Sequence, residues 1–293
     1  MLDATPAAAP ALAAPEIDDA LWEGRLVPMV ERFIRAGYFS FTVEGAEHVP
    51  HDGRAVYAQN HAGWFPLDAF FVGLAVRSAI GPCRTPYFAT AEAALAIPVL
   101  GAFLRRVGSV PASWFRRPER LPPRIRAAAF FPEGVPGNTK PFWEAYRMRS
   151  WNRGFVRTAA ALDAPIIPTA VLGGEECLPV AWTVKLLEPL VGSAFGLPLA
   201  LVPLPSRWRV VFHPPVRLAD RHGLLTDGAR SAEVADAVRE TVAHTIERQA
   251  ARYPLAHVSS WVAARRPALA LPAPAPTAPA PTAAGSDARA AHP

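Results

Sequence analysis

Lysine is nearly absent from this sequence. Lys140 and Lys185 are the only two in 293 residues, and arginine carries the rest of the positive charge, for a formal net charge of +5. A basic balance suits a nucleic acid, an anionic membrane surface or a phosphorylated substrate without choosing among them. Arginine in place of lysine, with abundant Ala and Pro, points to a GC-rich bacterial genome. Cysteine is scarce too. Cys83 and Cys177 stand far apart, which excludes zinc-ligand spacing and a disulfide framework and makes a reducing cytoplasm the default. No uncharged apolar run reaches 18 residues. The nearest candidate, LLEPLVGSAFGLPLALVPLP (Leu186 to Pro205), holds Glu188 and four prolines, so it is unlike a spanning helix and fits either an interfacial segment or a buried loop. The opening MLDATPAAAPALAAPE has neither a basic n-region nor a long apolar core, so no signal peptide is read there. Internal repeats are missing, and so is a G-x-S-x-G nucleophile elbow, which weakens a reading as an acyl-enzyme hydrolase.

What is present is apolar bulk. Hydrophobic residues make up 51% of the chain, ample for one large domain with its own core. Residues 1–15 are Ala/Pro-rich and expected to be disordered. From residue 263 the chain passes into PALALPAPAPTAPAPTAAGSDARAAHP, expected to be a disordered or polyproline-like extension. One globular domain, 16–262, remains between them. Its pattern alternates. FSFTVEG (39–45), AVYAQN (55–60), PYFAT (86–90), AAAFFPEG (127–134), APIIPTAVLG (164–173) and RWRVVFH (207–213) read as strands or strands with their exits. Helical spacing falls between them: 22–33 with Pro28 kinking or splitting it, the run after Pro66, EAALAIPVLGAFLRR with a break at Pro98, 151–163, and a last helix stepping through Val234, Val238, Val242 and Ile246 and ending at Pro254. Such alternation predicts an α/β fold with a mostly parallel central sheet flanked by helices. In such sheets chemistry gathers beyond the carboxyl ends of the strands.

Four stretches carry candidate chemistry. In AVYAQNHAGWFPLDAFF, His61 sits just past a strand end, Gly63 permits a tight turn, and Pro66 suits a helix start. In one continuous helix His61 and Asp68 would lie about 10 Å apart; with the turn folded back the carboxylate reaches the imidazole, fixes its tautomer and leaves the other nitrogen as a base. The same residues also suit a helix-start acid and a histidine that merely ends a strand. FFPEG presents Glu133 and Gly134 at a similar edge, where an ordinary solvated exit is the competing reading. LRRVGSVPAS places Arg105 and Arg106 at the head of a segment, 105–126, with seven arginines and one acid, Glu119; it reads as an anion site or as a solvated basic face. APIIPTAVLGGEE runs a buried strand into Gly173-Gly174-Glu175-Glu176 and alone says little.

NH…D, GSVPAS, FPEG and PIIP in that order resemble the glycerolipid acyltransferase superfamily, which includes lysophosphatidic acid acyltransferase. The six residues AGWFPL between His61 and Asp68 make a longer turn than the commonest family pattern. With GGEE, they resemble the monoacyl- and diacylglycerol acyltransferase-like branch. The resemblance implies an O-acyltransferase that moves a fatty acyl group from acyl-CoA or an acyl carrier protein to a glycerolipid hydroxyl. It implies His61 as general base and Asp68 as its orienting acid. Glu133 and Gly134 would lie in the acceptor-binding motif, Arg105 or Arg106 near the acceptor's head, and Pro168 in the acyl-site wall. It further implies a cytoplasmic enzyme peripheral on the inner face of the cell membrane, with no metal or further cofactor and no nucleic-acid partner. A lipid-binding protein on the same fold and a thioesterase-like hydrolase are the alternatives.

The composition of the tail generates a first prediction. Residues 267–293 hold seven prolines and, besides Leu269 and Leu271, no large apolar side chain. Deleting them is expected to shift the melting temperature by no more than about 2 °C and to leave turnover of soluble substrates unchanged. A larger loss would show that the tail packs on the domain.

Overall fold

A computed structural model describes residues 13–64, 66–184 and 194–265. Residues 1–12, 185–193 and 266–293, on which the terminal-disorder expectations and part of the Leu186–Pro205 stretch fall, lie outside the described residues. The described strands are β1 (Phe39–Glu44), β2 (Ala55–Gln59), β3 (Tyr87–Thr90), β4 (Ser109–Pro111), β5 (Ala127–Phe130), β6 (Ile166–Leu172), β7 (Val180–Val184), β8 (Phe195–Pro198) and β9 (Ser206–Phe212). The helices that position the site are α1 (Val27–Arg35), α2 (Leu67–Ile80), α3 (Pro98–Arg106), α4 (Gly154–Leu162), α5 (Gly174–Cys177), α6 (Gly228–Ala250) and α7 (Pro254–Arg265).

β2 is buried at every position and so is β6, the mark of strands covered on both faces. They lie side by side at the centre of a seven-stranded sheet of order β1-β9-β6-β2-β5-β3-β4. Every neighbouring pair is parallel except β6 with β9, so β1 and β9 run opposite to the other five. This is the mostly parallel α/β sheet that the alternation predicts. Side chains leave it on alternate faces. Val56, Ala58, Ile166 and Leu172 pack with Phe155 of α4 and with Val238, Val242 and Ile246 of α6. Tyr57, Ile167 and Val171 pack with Val30 of α1, Phe71 and Val72 of α2, and Trp22. Arg77 of α2 fastens the N-terminal segment: it pairs with Asp19 at 2.8 Å and Glu23 at 2.5 Å and lies over the Trp22 ring.

Prolines mark the breaks. Pro28 is the second residue of α1, just after a π-helical turn over Trp22–Leu26, and Pro98 separates Glu92–Ala96 from α3. Pro254 differs from the expectation. The preceding helix, α6, ends at Ala250, and Pro254 begins α7, because a residue without an N–H is no loss in a first helical turn. Three strands escape the sequence pattern: β4 is too short, and β7 and β8 form an antiparallel hairpin within a proline-interrupted apolar stretch. The Arg-rich span after β4 folds as two 3-10 turns, Ala112–Arg116 and Pro118–Arg120. Among the described residues no helix is long and apolar enough to cross a membrane.

One close approach fixes how the exits of β2 and β6 meet. A Cβ on Gly63, whose φ is +80°, would stand 2.1 Å from the Gly174 carbonyl oxygen, and one on Gly174 would stand 2.1 Å from the Ala62 carbonyl oxygen. Neither backbone can yield without moving its strand end. Gly174→Ala should therefore destabilise the fold by about 1–3 kcal/mol, which lowers the melting temperature by about 3 °C or more. Gly24→Ala, where a Cβ meets nothing within 4 Å, serves as the control. Equal melting temperatures for the two variants would contradict the close approach.

Candidate active site

β6, β2 and β5 are parallel neighbours, so their carboxyl ends open on one edge. His61 follows β2, Glu133 follows β5 and Glu175 follows β6. The turn after His61 folds back as its spacing requires, and His61 Nδ1 lies 2.7 Å from Asp68 Oδ2. Asp68 is the second residue of α2 and 1% exposed. Its Oδ2 also accepts from the Ala62 backbone N–H at 3.2 Å and its Oδ1 from that of Ala69 at 2.7 Å. These donors and the helix N-terminus hold the buried carboxylate. A carboxylate only accepts, so Nδ1 carries the hydrogen and Nε2 the lone pair. The imidazole stacks on the Phe131 ring at 4.3 Å, and the side chain keeps 15% exposure. It is therefore both anchored and reachable.

The residues around His61 hold its backbone. Asn60 spans to β6: its Oδ1 accepts from the Val171 N–H at 2.8 Å and its Nδ2 donates to the Val171 carbonyl at 2.9 Å. Glu133, fully buried at its side chain, accepts from the His61 backbone N–H at 3.0 Å and from that of Arg149 at 2.9 Å. Its carboxylate is thus turned inward onto backbone. Gly134 beside it adopts φ 60° and ψ −153°, a conformation essentially restricted to glycine. Lys140 completes the layer. Its ammonium is 3% exposed, 3.7 Å from Glu133 Oε2, 3.6 Å from Glu175 Oε1 and 3.3 Å from the His61 carbonyl oxygen. Lys140 lies in no motif, and Glu175 lies in the GGEE stretch, which by itself assigns it no partner. Their meeting depends on three strand ends, and the one local hint for Lys140 is that it is one of two lysines in an otherwise arginine-rich chain.

The remaining sequence candidates lie elsewhere. Arg105 Nη1 donates to the Leu95 carbonyl at 3.0 Å, and Arg106 pairs with Asp18 at 2.7 Å. Both sit in the last turn of α3, which runs back toward the amino end of β4, and neither is brought to His61. Pro168 is level with Ala58 inside the sheet, three residues short of His61. Among the described residues there is no group of three or more His, Cys, Asp or Glu that could hold a metal ion.

Electrostatics single out the end of β6. Burial pushes the Glu175 carboxyl up to about 7 against the opposing pull of Lys140. Burial also raises Glu176, which hydrogen-bonds the Tyr146 hydroxyl. A carboxyl that binds its proton more tightly when folded than at its unfolded value of about 4.3 loses its stabilising contribution as pH rises through about 7. Glu175→Gln cannot ionise. Its melting temperature relative to wild type should be higher at about pH 8 than at about pH 5.5. The same difference at both values would show that Glu175 is not held protonated by burial.

A family model described as Acyltransferase matches residues 40–172, which include His61, Asp68, Glu133 and the whole of β6. Uncharacterized proteins of Mycobacterium tuberculosis and Mycobacterium bovis are 34% identical over 241 residues, covering 78% of this chain and 67% of theirs. One from Mycobacterium leprae is 34% identical over 228 residues, covering 74% of this chain and 62% of its own length. The crystal structure of the 1-acyl-sn-glycerophosphate (LPA) acyltransferase PlsC from Thermotoga maritima superposes with a TM-score of 0.51 at 18% identity, over 80% of this chain and 84% of that one; at that identity the likeness is one of fold. With these relatives and this match spanning the His61 edge, the chain belongs to the acyltransferase family.

Proposed function

We propose that this acyltransferase moves a fatty acyl group from an acyl thioester, acyl-CoA or an acyl carrier protein, to a hydroxyl of a glycerolipid. The observation that carries the reading is the 2.7 Å contact between His61 Nδ1 and a buried Asp68, which leaves Nε2 as a base on a partly exposed ring. Nε2 takes the proton of the acceptor hydroxyl as its oxygen attacks the thioester carbonyl. The C–S bond breaks as the tetrahedral adduct collapses, and the departing thiolate recovers the proton from the imidazolium. Asp68 holds the ring and stabilises its positive form. A thioester is already activated, so general-base assistance, worth about 10²–10⁴-fold, combines with positioning to drive transfer. Glu133, Asn60 and Lys140 hold the His61 backbone. The Thermotoga maritima neighbour is a 1-acyl-sn-glycerophosphate acyltransferase, which supports a glycerolipid acceptor. A lysophospholipid, a monoacylglycerol and a diacylglycerol are the acceptors to compare. Such acceptors reside in bilayers, so a membrane-peripheral enzyme on the cytoplasmic face goes with this reading.

The test supplies acyl-CoA with and without each acceptor. Carrier release that depends on acceptor is expected; release without acceptor would make the protein a hydrolase, and no release a binding protein. His61→Ala should lower kcat/KM by at least about 10²-fold with the fold intact, and Asp68→Asn by less, because it spoils tautomer and charge without removing the base. If His61→Ala kept more than about a tenth of the wild-type rate, outside the range a general base supplies, the assignment of the base would fall.

A further inference from the structure

One short turn grips His61 twice. The turn Phe131 to Gly134 closes as the Gly134 backbone N–H donates to the Phe131 carbonyl at 2.9 Å. Its bend is pinned from outside: the Pro132 carbonyl accepts from the Asn152 backbone N–H at 3.1 Å and from Asn152 Nδ2 at 2.8 Å. Two side chains of this turn then reach the same residue. Glu133 accepts from the His61 backbone N–H at 3.0 Å. Phe131 lays its ring on the imidazole, with 4.3 Å between the ring centroids and 14° between their planes. The preceding phenylalanine has a different neighbour. Phe130 ends β5 and meets Phe115 edge-on at 4.8 Å, because successive side chains leave a strand on opposite faces. The two rings accordingly join the cores on either side of the sheet.

Asp68 and Phe131 restrain the imidazole in different directions. The 2.7 Å hydrogen bond from Nδ1 to Asp68 acts along the ring plane and fixes where that nitrogen points. It resists a tilt of the ring out of plane only weakly. A parallel phenyl face opposes that tilt, since tilting drives one edge of the imidazole into the phenyl ring. Stacking also acts on charge. The face of a phenyl ring is its negative side and attracts a cation lying within about 6 Å of its centroid. Proton transfer from the acceptor turns the imidazole into an imidazolium. The contact therefore strengthens as the reaction proceeds, and only an interaction stronger in the transition state than before it raises kcat.

We infer that Phe131 is a positioning residue for the His61 base, holding the plane of the imidazole from the FPEG turn and stabilising the positive ring formed during transfer. The inference rests on the reading of His61 as the general base. It gives the FPEG stretch a second hold on His61 beside that of Glu133: the carboxylate fixes the backbone, and the phenyl ring fixes the side chain.

Three variants of the full chain test this. Phe131→Leu removes the ring, Phe131→Tyr keeps it, and Phe130→Leu is the matched control, a ring lost one residue away on the other face. With acyl-CoA as donor and a lysophospholipid or a monoacylglycerol as acceptor, Phe131→Leu should lower kcat by about 3- to 30-fold, the range of a cation on an aromatic face. Its KM should stay within about twofold of wild type. Phe131→Tyr and Phe130→Leu should keep kcat within about twofold. A ring-fluorinated phenylalanine at 131, which keeps the shape and weakens the negative face, should lose part of the rate. Melting temperatures of both Leu variants within about 6 °C of wild type would confirm folding. Proton NMR of the chain labelled on histidine reads the stack directly. The His61 ring signals, identified by their absence in His61→Ala, should lie upfield in wild type and Phe131→Tyr. They should move downfield in Phe131→Leu and stay in place in Phe130→Leu. Unmoved His61 signals in Phe131→Leu overturn the inference. So does a kcat loss no larger than that of Phe130→Leu, a loss confined to KM, or full activity of the fluorinated variant. Absence of acyl transfer by wild type to either acceptor would instead sink the functional reading, while the His61 signals would still decide whether Phe131 holds the ring.

Discussion

A carboxylate as buried as Asp68 needs a hydrogen-bond partner for each of its oxygens, and most of the site follows from how that is done. The Ala62 and Ala69 N–H groups and the His61 ring supply the partners. All three come from the turn that leaves β2 and enters α2. The turn must therefore fold back tightly, and it does so by pressing against α5, with the two backbones in contact at Gly63 and Gly174. That contact requires β6 to stand next to β2. The parallel pairing of Val56 with Ile166 through Gln59 with Thr169 provides it, and the Asn60 side chain extends it by two further bonds to Val171.

Beneath the imidazole lies a second layer in which charge is buried as deeply. Glu133 and Glu175 face one ammonium, that of Lys140, at similar distances. Burial raises the Glu175 carboxyl to about 7 against the pull of Lys140, and the charge of neighbouring Glu176 adds to the rise. A network of this kind is costly to break because each partner left alone would be an uncompensated buried charge. It joins the exits of β2, β5 and β6 through groups that only these side-chain lengths can bring together. The His61 imidazole is thereby held on a rigid support while its side chain stays partly exposed.

The core of the fold was legible in local pattern. Strands buried on both faces, such as AVYAQ and IIPTAVL, stand out as apolar runs, and the prolines at 28 and 98 mark the breaks they cause. Local pattern failed where an element owes its form to its neighbours. β4 is three residues held by β3. The β7–β8 hairpin exists through pairing that proline-rich apolar sequence does not announce, and Pro254, which reads as a stop, is a start. Arg105 and Arg106 read as an anion site or as a solvated basic face, because a basic sequence does not specify direction, and α3 carries them toward Leu95 and Asp18.

The sequence by itself determined the alternation of strand and helix, the position of His61 just beyond a strand and the possibility that Asp68 could fold back to it. It also determined, through the order of its motifs, the family likeness. All of these depend on residues near one another in the chain, or on short segments whose chemistry is local. Only the tertiary structure decided that Glu133 faces inward onto the His61 backbone and that Lys140 and Glu175 meet beneath it. Those pairings join residues tens of positions apart, brought together by strand order in the sheet. Strand order is set by how apolar faces are covered across the whole core, a property that no window of the sequence contains.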